Sequence, residues 1–282
     1  MDAGDLAEEG MTTIAIARGT NRAAVQGREG RLQRALLLGG IVSSLLYVAT
    51  DAIGGLAYEG YSWTSQAVSE LMAVGAPSER IVDPLFLVGG VLGLAFGVGV
   101  YREGIGRDRA RRVAGALLFL YAAVGLTGPT LFEMHPRGTG GASGDLPHIV
   151  VTGVIVLLSL LSMTFAARAL GGRFRTYTFA TVLVMIVFGV VTGTYAPRLG
   201  AGQPTPGMGI VERIDIYASL LWMAVLATTL LRRAEPGLGG FTRSTRRDAE
   251  NSPFGVCPRR IAPGSESRER CRGQSRANIA RL

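Results

Sequence analysis

Apolar residues dominate six stretches of the chain, approximately 34–57, 84–101, 110–132, 146–170, 175–195 and 211–232, with polar residues collected between them. Each is close to the roughly 20 residues that a helix needs to cross about 30 Å of hydrocarbon. No intervening window alternates apolar and polar positions as barrel strands do, so the pattern predicts spanning helices. In the second stretch Gly89, Gly93 and Gly97 recur every four residues and lay a smooth stripe on one side, suited to close helix packing. Pro129 is expected to kink the third helix or end its regular hydrogen bonding. The expected fold is all-α, a polytopic integral membrane bundle of six helices.

One polar stretch, Tyr61 to Pro77 (YSWTSQAVSELMAVGAP), lies between the first two spans and still carries helix signals. Ser62 suits an N-cap, and Ser62, Ser65, Ser69 and Met72 share a face by their three- and four-residue spacing. Gly75 followed by Pro77 makes a stop. The expectation is a short interfacial helix with Tyr61 and Trp63 at headgroup level. Either Ser65, Ser69 and Glu70 line a pocket over the bundle mouth, or the segment is a lid whose polar side faces water.

Composition agrees with this pattern: 282 residues, 18% of them charged, have a mean hydropathy of +0.31, which suits a polytopic membrane protein. The net charge is +8, carried entirely by arginine, since the chain has no lysine. Its distribution points to membrane topology rather than to nucleic acid. Five arginines lie up to Arg34, one in 58–83, five in 102–112, one in 133–147, three from Arg168 to Arg175, two in 196–213 and twelve after the last span. The alternation places both termini in the cytoplasm and the other three connections outside a plasma membrane.

The polar segment 1–33 lacks the pattern of a cleavable signal peptide and is expected to be a disordered cytoplasmic leader. Residues 34–233 form the transmembrane domain. The segment 234–282, with ten arginines against five acids, is expected to be a disordered basic tail, either held to anionic lipids or simply solvated. Cys257 and Cys271 both fall in that tail, where a cytoplasmic position argues against a structural disulfide.

Candidate chemistry gathers on the outward side. Phe132 to Gly138 (FEMHPRG) and Asp145-Leu-Pro-His148 carry both histidines of the chain, thirteen residues apart. Asp145 and His148, three apart at a helix start, can project on one face. With His135, and with Glu133, Glu70 or Asp51 as further oxygen donors, they can compose a zinc site with an open position for water. Without metal, a histidine beside a carboxylate can act as a general base or pH sensor. The plainer alternative makes Asp145 an N-cap and Pro147 a first-turn residue. The glycine-rich run 138–144 lacks the spacing of a phosphate loop and is expected to be a flexible connection.

Glu212 and Arg213 open the last span. Arg213 can clamp an anionic headgroup or pair with Glu70 or Asp145, whereas Glu212 can simply favour the helix N-terminus. Asp51 and Asp215 lie at matching depths near the outward ends of the first and last spans, where an ionisable side chain is either functional or snorkelling to water.

In order, the SELMAVGAP segment, the MHPRG with its following D-x-x-H, and the GIVERI opening the last span resemble the bacterial and archaeal membrane family called domain of unknown function 998. The resemblance covers roughly 35–233 and implies a six-helix membrane protein with its polar motifs on one face. It implies no activity, substrate or cofactor. Glu212 is a departure, since the resemblance leads one to expect a glutamine or similar residue before the arginine.

Two functions follow as expectations. One is a binding protein that takes a small ligand, a lipid headgroup or a partner at its outward mouth, through Ser65, Ser69, Glu70, Glu133, His135, Asp145, His148 and Arg213. It needs no cofactor. The other is a metal-dependent lipid hydrolase using zinc on His135, Asp145 and His148. A transporter lacks a mid-bilayer charge and an inverted repeat, and a serine hydrolase lacks G-x-S-x-G. Membrane lipids are the implied partners; the residues point to no particular protein.

Overall fold

Backbone polar groups in hydrocarbon must be paired within the segment, and the chain meets this with helices alone. The computed structural model describes residues 3–139 and 145–234, with side chains from Val25 to Thr139 and from Asp145 to Arg233. Its helices are α1 (Ala3–Ala57), α2 (Glu79–Gly104), α3 (Arg109–Leu131), α4 (Leu146–Leu170), α5 (Gly172–Gly193), the five-residue α6 (Ala196–Gly200) and α7 (Met208–Ala234). A 3-10 helix, Val68–Met72, lies between α1 and α2. There is no strand among the described residues. Six segments are long and apolar enough to cross a membrane: Val25–Ala57, Glu79–Gly104, Arg109–Leu131, Leu146–Leu170, Gly172–Gly200 and Met208–Arg233. The protein is therefore an all-α, multi-pass membrane bundle. The leader expected over 1–33 overlaps the start of α1, and the basic tail from residue 235 onward lies outside the described residues.

The six spans close a ring in chain order. Each of α1 to α4 packs on the next, α4 on α5, α5 on α7, and α7 returns to α1. Lipid tails are as apolar as leucine, so close backbone approach and internal hydrogen bonds must hold such a ring together. The glycine stripe of α2 does this against α3: a Cβ on Gly97 would lie 2.6 Å from the Phe119 backbone nitrogen, and one on Gly93 would meet Ala122 at 3.2 Å. The ring interior is filled by Leu37, Phe96, Leu118, Met163 and Leu226 around the fully buried Trp222. Trp222 donates from Nε1 to Thr178 Oγ1 at 3.0 Å, tying α7 to α5. Pro129 sits one turn before the Phe132 cap that ends α3.

Because the crossings alternate, the connections 58–78, 132–139 and 194–207 meet at one end of the ring. That end is the mouth.

Candidate functional site

The short helix expected between the first two spans is present, as a 3-10 helix confined to Val68–Met72 rather than filling the whole stretch from Tyr61. The residues from Tyr61 turn through two short bends into it. The cause is competition for the carbonyls of the stretch. Those of Trp63 and Gln66 accept from Arg213, that of Ser65 from Arg137 and Thr205, and that of Ala67 from the Tyr61 hydroxyl. Carbonyls drawn outward in this way cannot serve an α-helical ladder. Glu212 on α7 completes the pattern by accepting from the Val68 amide at 2.6 Å, so it caps the 3-10 helix as well as standing near the start of its own helix. Gly209 permits the approach, because a Cβ there would collide with the Trp63 carbonyl oxygen and come within 2.5 Å of that of Gln66.

Two ion pairs organise the mouth, and neither is a pairing expected from the sequence. Arg213 pairs with Asp51 rather than with Glu70 or Asp145: Nε and Nη2 each reach a carboxylate oxygen at 2.9 Å. The Asp51 side chain is fully buried and also accepts from the Tyr217 hydroxyl at 2.5 Å. Nη2 of Arg213 donates to the Tyr61 hydroxyl at 2.7 Å, and Nη1 donates to the Trp63, Gln66 and Gly209 carbonyls. The guanidinium lies 5.6 Å from the Tyr61 ring centroid and 5.1 Å from that of Trp63, within cation–π range. Every donor of Arg213 is thus engaged. Burial pushes the Tyr61 phenol above its ordinary range, against the lowering effect of Arg213, so it stays neutral and donates to the Ala67 carbonyl.

The second pair joins the loops. Arg137 reaches both carboxylate oxygens of Glu70, from Nη2 at 2.6 Å and from Nε at 3.1 Å, and donates to Ser65 O, Gln203 O and Thr205 Oγ1. One side chain therefore holds all three mouth connections. Its exposure is 21%, against 10% for Arg213, so this pair is the shallower. Gly138 and Gly202, both at positive φ, bring their loops so close that a Cβ on Gly138 would lie 3.0 Å from the Gly202 Cα.

The expected metal triad does not assemble. Asp145 turns back to His135, accepting from its amide at 3.0 Å and meeting Nδ1 at 3.0 Å, while buried His148 points Nδ1 to the Phe132 carbonyl at 2.9 Å. Asp145 has non-helical φ −93° and ψ 0°, so the three-residue spacing that would align it with His148 does not apply. No group of three His, Cys, Asp or Glu residues positioned for a metal occurs among the described residues. Glu133 and His135 are exposed, and Ser65 and Ser69 are half-buried. Of the glycine-rich run 138–144, expected to be flexible, residues 140–144 lie outside the described residues.

Beneath the loops, Asp215 and Ser219 sit one turn apart on α7 and are both buried. Tyr121 of α3 lies beside them, and Gly189 of α5 faces the carboxylate, to which a Cβ would come within 3.8 Å. Asp215 Oδ1 has no hydrogen-bond partner among the described residues.

Of the sequence candidates, Glu70 and Arg213 are central, but in different pairs. Asp51 stood out by its depth and as a further oxygen donor for zinc, not as a partner of Arg213, and Arg137 only as the single arginine of its segment. The available signal was opposite charge at similar depth in the first and last spans for one pair, and a single arginine in the segment 133–147 for the other.

A family model described as "Protein of unknown function (DUF998)" matches residues 41–229. No curated protein matches the chain, and no solved structure does.

Proposed function

The chain belongs to the DUF998 family of proteins of unknown function, and from the geometry of its mouth we propose that it is a non-enzymatic binding protein of the plasma membrane, with its mouth outside and both termini cytoplasmic. Residues 58–78 are a plug fixed to α7 by Arg213, and the connections 132–139 and 201–207 are a clasp closed over it by Arg137. A small ligand or lipid headgroup enters when the clasp lifts. The single observation that carries this is Arg137: one half-buried side chain spans three loops and has only carbonyls, a hydroxyl and Glu70 to hold it. The arginine count supports the orientation.

The test uses a background with Cys257 and Cys271 replaced by serine. Met134, 3% exposed within the clasp, becomes the reporter as Met134→Cys. With the clasp closed, a membrane-impermeant maleimide added outside cells reacts slowly at this position. Adding Arg137→Ala or Glu70→Gln speeds the reaction about tenfold or more, the equivalent of some 1.4 kcal/mol in the opening equilibrium. Equal rates in both backgrounds overturn the clasp. Labelling of the exposed Glu133→Cys only after the cells are permeabilised overturns the orientation.

The alternative, a metal-dependent lipid hydrolase, draws on the His135–Asp145 contact at 3.0 Å, a pairing that can orient an imidazole as a base. It has less support, because His148 is committed elsewhere.

A further inference from the structure

We infer that Asp215 is the recognition group of an intramembrane site for an ammonium group, carried by a small organic cation or by an amine-bearing headgroup. For access this rests on the clasp described above.

Two residues earlier, the same end of α7 already binds a cation. There a guanidinium is held by a buried carboxylate, a second phenol on that carboxylate and two aromatic rings: Asp51, Tyr217, Tyr61 and Trp63 around Arg213. On another side of the helix the protein repeats much of this combination without a cation. Asp215 is 9% exposed, its Oδ1 is unpartnered among the described residues, and Tyr121 and Ser219 stand beside it. Among the described residues no cation pairs with it, and its neighbour on the helix, Arg213, spends all its donors on Asp51, Tyr61 and carbonyls.

A lone carboxylate about seven residues into the span, roughly 11 Å along the helix at 1.5 Å per residue, is costly unless something meets it. A hard metal ion fits poorly. Calcium takes about 6–8 oxygen ligands, and one carboxylate with one hydroxyl falls far short. A buried carboxylate with one oxygen unpartnered among the described residues and a hydroxyl one turn away instead suits an ammonium group, whose few N–H donors need few acceptors. Gly189 leaves the opposite wall without a side chain. Access is consistent too. Asp215 faces α3 and α5, and the connections that continue those two helices at the mouth are the ones Arg137 clasps.

The experiment takes the full chain, purified in a non-ionic detergent, and measures its melting temperature against methylammonium, tetramethylammonium and sodium chlorides at equal ionic strength. At least one ammonium salt is expected to raise the melting temperature of the wild type in a saturable way that sodium does not. In Asp215→Asn the apparent affinity is expected to fall at least about tenfold. The asparagine variant without ligand should melt at or above the wild type, since it removes an unpaired buried carboxylate, and this keeps folding and binding separate. A saturable shift that survives in Asp215→Asn, or an equal shift with sodium, overturns the proposal. The Met134→Cys labelling reports the clasp independently. Ammonium binding lost in Asp215→Asn with labelling unmoved by Arg137→Ala would keep the site and discard the clasp. Faster labelling with no ammonium shift would do the reverse.

Discussion

Replacing Arg213 by alanine strands Asp51. The carboxylate is fully buried, and of its three charge-bearing or polar contacts only the Tyr217 hydroxyl would remain. The Trp63 and Gln66 carbonyls and the Tyr61 hydroxyl lose a donor at the same time. Removing one partner of a buried pair costs about 3–5 kcal/mol, because the other charge is left uncompensated. At about 2–4 °C per kcal/mol for a domain of this size, the melting temperature should fall by about 6–20 °C. Asp51→Ala should cost a comparable amount, stranding the guanidinium instead. The double variant strands neither, so its loss should be smaller than the sum of the two by about 1–3 kcal/mol, the range seen for groups in one network. Arg213→Lys should recover little, because three donors on a flexible stem cannot reproduce a fork aimed at a carboxylate, a phenol and three carbonyls. The assay is the melting of the four proteins of the cycle, with the lysine variant beside them, in one detergent. If the two single losses simply add, to within about 0.5 kcal/mol, the pair is not the unit described here.

Other consequences are quicker to state. Gly209→Ala should lower stability by about 1–3 kcal/mol, as overpacking does, because its methyl would press on the Trp63 and Gln66 carbonyls; an unchanged melting temperature would refute that close approach. Tyr61→Phe should cost about 1–2 kcal/mol through loss of a hydroxyl that both accepts from Arg213 and donates to Ala67. Burial holds the native phenol above its ordinary range, so its contribution is complete below the unfolded value near 10 and declines as pH rises beyond it. A melting curve that falls as steeply above that pH in Tyr61→Phe as in the wild type would speak against this. Equimolar zinc should leave the melting temperature where it stands. A zinc-dependent rise abolished by His135→Ala would revive the hydrolase.

How far the chain could be read without coordinates depended on the range of each interaction. Spans were legible because lipid imposes a one-dimensional rule, about 20 apolar residues per crossing; five of the six emerge within about five residues of their observed bounds, and the first begins nine residues earlier, at Val25 rather than at 34. The meeting of the polar loops at one end follows from alternation alone. The partners within that cluster were not legible. Asp51 and Arg213 are 162 residues apart and meet only because α7 returns beside α1. The same holds for Arg137 and Glu70, joined between two loops. The short helix was legible but its 3-10 form was not, because spacing describes side chains, whereas the conformation is decided by who captures its carbonyls. The Asp145–His148 spacing misled for a related reason: it presumes helical geometry at a residue that precedes the helix.

The two ion pairs differ in what breaking them would move. Arg213–Asp51 joins the first and last spans, and the same guanidinium holds Trp63 and Gln66, so releasing it would loosen the ring closure and the plug together. Arg137–Glu70 joins only connections, and its partners Gln203, Thr205 and Ser65 all lie outside the long helices. On the proposed reading, in which a ligand enters without the bundle coming apart, these duties are separated, one pair deep and fully satisfied, the other shallow and confined to loops. The third carboxylate then falls into place. Asp51 is matched by an arginine from its own chain, Glu70 by another, and Asp215, buried at the α3 and α5 side of α7, by none among the described residues. On the same reading it lies on the side from which lifting the shallow clasp would draw the loops away, so such an opening would uncover a buried carboxylate with an oxygen unpartnered among the described residues.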